Sequence, residues 1–297
     1  MGHHHHHHDH TTGNIKTAFF LNLFFTLIEI VGGILTNSMA IISDALHDLG
    51  DSLSLGLSWF LQKYSKKEHN NDYTFGYKRF SLLAALINSV VLIVGSIFIF
   101  TEAIPRLLNP VSPNASGMIM LAILGVLVNG AAVFKLRGGE SMNAKVMTWH
   151  LLEDVLGWVA VLIVSIILLF KDIPILDPLL SIGITLYILY NVVINFKKTM
   201  SLFLEKVPEG IDFASLKKKM EEIHLVHSIH HTHLWSLDGE HHAFSTHVVV
   251  PENTTRDEVC TIKEQIKDIL GDIHLDHVTI EVEYEDEECS VLELTHH

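Results

Sequence analysis

Residues 36–52 read TNSMAIISDALHDLGDS and combine a long apolar run with several ionisable side chains. Within them His47 and Asp51 lie four positions apart, so a helix places both side chains on one face, about one turn apart. His150 and Asp154 repeat this spacing in a second apolar stretch. One ionisable side chain inside a membrane costs roughly 2.5–3.5 kcal/mol or more, so four of them indicate inward-facing partners, a water cavity or an ion.

The hydrophobic residues are gathered in long runs, which is typical of a membrane protein. They make up 48% of the 297 residues, and the mean hydropathy is +0.33. Most runs approach the roughly 20 residues that cross a bilayer as a helix. The sequence therefore predicts an α-helical membrane protein with six transmembrane helices. The predicted spans are 15–35, 38–61, 81–101, 117–134, 146–170 and 175–196.

The distribution of charged residues predicts how the chain is oriented in the membrane and where its domains begin and end. Lys and Arg are concentrated after the second, fourth and sixth spans, whereas the opposite loops hold only Arg106 and Lys171. The positive-inside rule then predicts that both termini of this multi-pass protein lie in the cytoplasm. We expect a histidine-rich leader or expression tag over 1–13, a membrane domain over 14–204, a cytoplasmic domain over 205–288, and a tail over 289–297.

Residues 205–297 hold 21 of the 34 acidic residues but only 7 of the 20 basic ones. This negative charge argues against nucleic acid as a partner and suits cations. Two cysteines, Cys260 and Cys289, have no CxxC spacing, which fits a reducing compartment.

The acidic region also predicts a small α+β domain with the order αββαβ. Its helices are expected over 211–224 and 253–270, the second opening at Thr254 or Thr255, and its strands over 227–237, 240–250 and 278–284. Asp238-Gly239 is a hairpin turn signal between the first two strands. Strand alternation places His231 and His233 on one face and His230 on the other.

The two His/Asp pairs together make a four-ligand set for a divalent metal. One such pair alone is more simply a buried histidine with a carboxylate partner, but two pairs in separate spans are harder to explain without an ion. Zinc takes four N and O ligands in a tetrahedron, and cadmium or cobalt would also fit.

The other polar residues of the spans are expected to have supporting roles. Asp44 and Asp48 lie off the face of His47 and Asp51 and are expected to support the site rather than ligate. Other polar residues in the spans are expected to hydrogen-bond between helices. They are Asn22, Glu29, Asn88, Asn129 and Asn191.

A metal site in the middle of a membrane, without redox ligands, predicts transport. Metal binds neutral imidazole and ionised carboxylate, so loading the ion releases protons and protonation releases the ion. With unperturbed pKa values near 6.5 for His and 3.9 for Asp, the histidines are the expected proton carriers near neutral pH. The predicted activity is therefore exchange of cytoplasmic metal for protons by alternating access. For the two His/Asp pairs to lie at the same depth in the membrane, the fifth helix must extend on its cytoplasmic side beyond Val146, towards about Ser141.

Two other classes of protein share some of these features. An intramembrane metalloenzyme would need an open metal position for water, but the chain lacks a His-Glu-x-x-His motif and four protein ligands would fill a zinc ion. We therefore predict that the chain is not an enzyme. A metal-sensing receptor would explain a histidine-rich tail, but not ligands buried in two spans.

Residues 36–52, together with Phe75-Gly76-Tyr77-Lys78-Arg79 and the His150/Asp154 pair, resemble the signature of the cation diffusion facilitator family. The resemblance covers nearly the whole chain after the leader and is strongest to the bacterial cadmium, cobalt and zinc exporters. It implies a homodimeric, proton-driven exporter of the cell membrane, with six helices and a metallochaperone-like cytoplasmic domain over 205–288 that binds metal and dimerises. It also implies that His47, Asp51, His150 and Asp154 form the transport site for zinc or cadmium.

The resemblance carries three further expectations. His230, His247, Glu281 and Glu283 match the family's cytoplasmic metal site, where zinc would regulate transport and tighten the dimer. Arg79 and Glu205 match a charge interlock near the membrane surface. Tyr73 and Tyr77 stand where some members have histidines in the loop after the second helix, so a metal site formed by that loop is expected to be weak or absent. Glu68, His69 and Asp72 lie nearby.

Overall fold

A computed structural model of the chain describes residues 9–65, 70–136, 142–271 and 273–287. The chain divides into two compact units. The first, which we call the membrane unit, comprises Met1–Lys67 and Ala84–Phe196. The second, the tail unit, comprises Glu68–Leu83 and Lys197–His297.

Six long helices occupy the part of the chain where six spans are predicted, which confirms the predicted fold class. They are α1 (Asp9–Thr36), α2 (Met39–Ser65), α3 (Phe80–Leu108), α4 (Ala115–Leu136), α5 (Met142–Phe170) and α6 (Leu176–Phe203). Among the described residues, all but α2 contain a stretch long and apolar enough to cross a membrane. The exception carries Asp44, Asp48 and Asp51, whose charge lowers its hydropathy. The chain is a multi-pass membrane protein.

Helix lengths differ from the predicted spans at two places. Helix α5 begins at Met142, which confirms that it extends beyond Val146. Helix α6 continues to Phe203, beyond the predicted end at Phe196, because Lys197 and Lys198 end the apolar run but are good helix formers.

A carboxylate from α6 holds the start of α2. Asp177 accepts hydrogen bonds from the Ser38 hydroxyl at 2.5 Å and from the backbone N–H groups of Met39 and Ala40 at 2.7 and 3.3 Å. These N–H groups have no partner within the first turn of their own helix, and the helix dipole favours negative charge there. One turn further along, the Ser43 and Ser181 hydroxyls lie 2.6 Å apart and continue the contact between α2 and α6.

The remaining helix contacts are close-packed. Helix α1 packs along α2, and α4 packs along α5. A Cβ atom at Gly125 of α4 would lie 2.1 Å from the Trp158 ring, so only glycine allows this approach. Trp158, buried at 1% exposure, joins Phe25 of α1 in one apolar cluster. This packing fixes α5 beside the α1/α2 pair, where its His/Asp face meets that of α2.

The tail unit confirms the predicted αββαβ order. Its elements are α7 (Phe213–Glu221), β1 (Ser228–Ser236), β2 (His242–Val250), α8 (Arg256–Ile269) and β3 (Leu275–Tyr284). The sheet order is β1-β2-β3, with β1 antiparallel and β3 parallel to β2. The predicted hairpin turn is present, with Gly239 at a φ of 105° that favours glycine. Thr255 caps α8 in a capping box with Glu258, as the predicted helix start requires.

Strand β1 departs from the simple alternation that the sequence predicts. Its register with β2 shifts between His230 and His233, and His231 has a φ of 45°. This bulge inserts an extra residue and turns its side chain out of phase. The prediction that His230 and His231 lie on opposite faces is therefore wrong, since their ring centroids are 5.2 Å apart.

Candidate metal centre

Helices α2 and α5 bring the four predicted ligands of the membrane unit together. His150 Nε2 lies 2.9 Å from Asp51 Oδ2, and His47 Nε2 lies 3.5 Å from Asp154 Oδ1 and 3.9 Å from Asp51 Oδ2. The two imidazole centroids are 5.6 Å apart. Adjacent ligand atoms of a tetrahedral zinc lie about 3.3 Å apart for bonds of about 2.0 Å. His47, Asp51 and His150 each offer a ligand atom within 4.8 Å of the other two, whereas Asp154 lies outside this trio and adjoins it through His47.

The four side chains differ in burial. Asp154 is 9% exposed, and its Oδ1 atom has no hydrogen-bond partner among the described residues. His47, Asp51 and His150 are between 25% and 39% exposed. A buried carboxylate oxygen without a hydrogen bond is costly unless a cation completes its surroundings. These groups thus fit a divalent ion.

Further polar side chains surround this group without joining it. Asp44 and Asp48 are both buried at 5% exposure, and a Cβ atom at Gly157 would lie 3.3 Å from Asp44 Oδ1. Asn22 of α1 donates to the Asp48 carbonyl and to the Ser52 hydroxyl, both at 3.1 Å. These bonds confirm the interhelical role predicted for Asn22, and they hold α2 against α1 beside the site.

A cavity of about 520 Å³ reaches the site between α2, α5 and α6. His47 and Asp154 form part of its wall together with Asp44 and Glu153. The Tyr187 hydroxyl donates to Glu153 at 3.1 Å across the cavity. The carboxylates give an ion a polar surface along an otherwise apolar lining.

The tail unit brings its four predicted ligands together on the sheet. In the register, His247 of β2 lies between His230 of β1 and Glu281 of β3. Glu283 Oε1 lies 2.6 Å from His247 Nδ1, and Glu283 Oε2 lies 3.1 Å from His230 Nε2. Glu281 contacts His247 Nε2 at 3.4 Å but is 60% exposed, whereas Glu283 is 10% exposed. Of these four residues, His230, His247 and Glu283 have ligand atoms that all lie within 4.8 Å of one another.

His231 was not predicted to belong to this cluster. Its ring lies 5.3 Å from that of His247, and its buried Nε2 has no hydrogen-bond partner among the described residues. Two adjacent histidines in a strand do not by themselves predict a bulge, because regular strand alternation would place their side chains on opposite faces of the sheet.

The charge interlock predicted for the tail unit is present. Arg79 Nη2 donates to Glu205 Oε1 at 2.7 Å, and Lys78 pairs with Asp276 beside it. The Tyr73 and Tyr77 rings, predicted to replace histidines, pack against each other with centroids 4.7 Å apart. Glu68 and His69 of the same loop, like Cys289, lie outside the described residues.

Comparison with known proteins supports the two-part organisation. Residues 15–204 match the family profile described as "Cation efflux transmembrane domain". Residues 208–285 match the profile described as "Cation efflux protein, cytoplasmic domain".

Curated relatives align over nearly the whole chain. A "Cadmium, cobalt and zinc/H(+)-K(+) antiporter" of Bacillus subtilis is 35% identical, over 96% of this chain and 93% of its own length. The "Metal cation efflux system protein CzcD" of Cupriavidus metallidurans is 33% identical, over 93% of this chain and 88% of its own length. The "Zinc transporter ZitB" of Escherichia coli is also 33% identical, over 93% of this chain and 89% of its own length.

Proposed function

We propose that this chain, which belongs to the cation diffusion facilitator family, exports zinc from the cytoplasm in exchange for protons. Cadmium and cobalt are further substrates, as in the name of the Bacillus subtilis relative. The observation that carries the proposal is the meeting of two imidazoles and two carboxylates, from α2 and α5, inside the membrane unit. The transporter works in the cell membrane as a homodimer, with both termini in the cytoplasm.

The ligands of the transport site are His47, Asp51, His150 and Asp154. Each helix supplies one imidazole and one carboxylate at one-turn spacing, so neither helix alone holds the ion. A relative tilt of α2 and α5 would therefore open the tetrahedron and lower its affinity for metal. The cavity beside His47 and Asp154 gives the ion a path to the site past Glu153.

Exchange with protons follows from the donor set. An imidazole cannot bind a proton and a metal through the same nitrogen, and a protonated carboxylic acid is a weak ligand. Protons that enter the open site therefore displace the ion, and a new ion displaces the protons. No covalent step is needed, which agrees with a transporter rather than an enzyme.

In the tail unit, His230, His247 and Glu283 would hold a regulatory zinc, with Glu281 at its exposed edge. These donors fit the metal because two imidazoles and a nearly buried carboxylate already converge there. Zinc bound there would cross-link β1, β2 and β3 and so stiffen the sheet.

The test is metal flux into proteoliposomes that contain the purified chain and a trapped zinc-sensitive dye. An outwardly directed proton gradient should accelerate zinc entry, and Asp51→Ala and Asp154→Ala should each abolish it. Asp172→Ala is the matched control, because Asp172 bonds to Ser112 at 3.0 Å in an exposed loop of the same unit. Zinc flux that ignores the proton gradient would refute proton exchange, and flux that survives both ligand substitutions would refute the site.

A further inference from the structure

Three histidines and an aspartate lie on neighbouring chain segments at the hairpin end of the tail sheet, outside both sites described above. Asp238 and His241 belong to the turn between β1 and β2, His242 begins β2, and His274 directly precedes β3. The His242 N–H donates to the His274 carbonyl at 3.0 Å, which ties the two chain segments together. Five residues of β2, about 17 Å, separate His242 from His247, so one ion cannot serve both places.

Asp238 orients the His241 ring. Its Oδ1 accepts hydrogen bonds from the backbone N–H groups of Glu240 and His241, at 3.0 and 2.8 Å. Its Oδ2 lies 2.7 Å from His241 Nδ1. An ionised Asp238 accepts the Nδ1 proton and leaves Nε2 as a lone pair, which is how metal-binding histidines are commonly held.

A second imidazole faces His241 at a suitable distance. The ring centroids of His241 and His274 are 6.1 Å apart, close to the 5.6 Å between His47 and His150. Two imidazoles on a tetrahedral zinc have centroids about 5 Å apart, so a small rotation of the exposed His274 ring would bring both nitrogens onto one ion.

His242 supplies an independent observation. It is only 9% exposed, and its Nδ1 has no hydrogen-bond partner among the described residues. A buried imidazole nitrogen without a partner is costly, and a metal ion would relieve that cost.

We infer that His241, His242 and His274 form a second zinc-type metal site in the tail unit, with Asp238 positioning His241. Imidazole ligands with one orienting carboxylate suit zinc, cobalt and nickel rather than calcium or magnesium, which prefer oxygen. The ion would join the β1–β2 turn to the start of β3.

The test is a Co²⁺ titration of the full-length chain in detergent, after the other metal ligands are removed. The background carries Asp51→Ala, Asp154→Ala, His247→Ala and Glu283→Ala, with the histidines of residues 1–13 replaced by serine. We expect one tight Co²⁺ equivalent with the visible absorption of a nitrogen-ligated ion, displaced by zinc. His241→Ala and His274→Ala should each weaken it at least tenfold.

Asp238→Asn should weaken binding about 10- to 100-fold while the stoichiometry stays at one, since it removes only the orienting group. His224→Ala is the matched control, an exposed histidine of the same unit, and should change nothing. If an alanine variant lowers the thermal midpoint of the metal-free chain, His274→Gln is used in its place, because the exposed His274 side chain contributes little to folding. A background chain without a tight Co²⁺ equivalent, or binding indifferent to His274, would overturn the inference.

Discussion

The membrane unit and the tail unit each gather two histidines and carboxylates, but they position them by different means. In the membrane unit the proposed ligands come from two helices, α2 and α5, and among the described residues no backbone hydrogen bond links these helices at the site. In the tail unit His230, His247 and Glu281 are held in register by the backbone ladder of one sheet. Ligands on separate helices can move apart, whereas ligands on hydrogen-bonded strands cannot. The first arrangement suits an ion that must leave, and the second suits an ion that stays.

Removing one ligand from each unit should separate these roles, and it carries the largest expected effect. Asp154→Asn should abolish zinc flux, with a loss well beyond the 10- to 100-fold typical of an outer-shell change, because the most buried donor of the transport site disappears. His247→Ala should leave flux at saturating zinc within about twofold. Flux in proteoliposomes measures both. If His247→Ala stopped transport as Asp154→Asn does, the distinction between the two units would fail.

Within the tail unit, the two glutamates should differ in how strongly they hold zinc. Glu283 contacts both histidines and is 10% exposed, whereas Glu281 contacts only His247 and is 60% exposed. Glu283→Gln should weaken zinc binding about 10- to 100-fold, and Glu281→Gln only severalfold. Calorimetric titration measures this difference in a full-length chain that carries Asp51→Ala, Asp154→Ala, His241→Ala and His274→Ala, with the histidines of residues 1–13 replaced by serine. Equal losses of zinc affinity would show that the more buried glutamate does not bind zinc more tightly than the exposed one.

The sequence predicted the helix-borne site more completely than the strand-borne one. Spacing of four on a helix has one geometric consequence, so His47 with Asp51 and His150 with Asp154 could be paired from the sequence. On a strand, a single bulge reverses the facing of every residue beyond it, and the bulge at His231 depends on register with β2 rather than on local sequence. The hairpin at Gly239 and the start of α8 at Thr255 were predictable because their signals are local.

Helix capping shows the same contrast between distant and local partners. Asp177 holds the start of α2 from 138 positions away in sequence, measured to Met39. No local motif predicts this contact, and its only signal was an acid beside Pro178 at the end of the hairpin between the fifth and sixth spans. Glu258 caps α8 from within the same turn, through the backbone and hydroxyl of Thr255, each at 2.7 Å.

Asp177→Ala should therefore destabilise the membrane unit clearly. It leaves two buried N–H groups and the Ser38 hydroxyl without their acceptor, at about 1–3 kcal/mol for each unpaired donor. The thermal midpoint of the chain in detergent should fall by about 5 °C or more. Asp172→Ala, in the exposed loop before α6, is the control and should shift it by less than about 1 °C. Equal shifts would show that the contact between α6 and α2 adds nothing to stability.

Glu258→Gln should have the smallest effect, and pH should reveal it. Hydrogen bonds from the Thr255 backbone and hydroxyl lower the pKa of Glu258 in the folded chain. A depressed carboxyl pKa stabilises the fold above the unfolded value, near 4.3, and this contribution disappears as the pH falls through the folded pKa. The variant should thus melt slightly below the parent at pH 7, and the two midpoints should converge below about pH 4. Glu264→Gln, exposed on the same helix, should show no such convergence. A difference for Glu258→Gln that persists unchanged at low pH would place its origin in packing rather than in the charge of the cap.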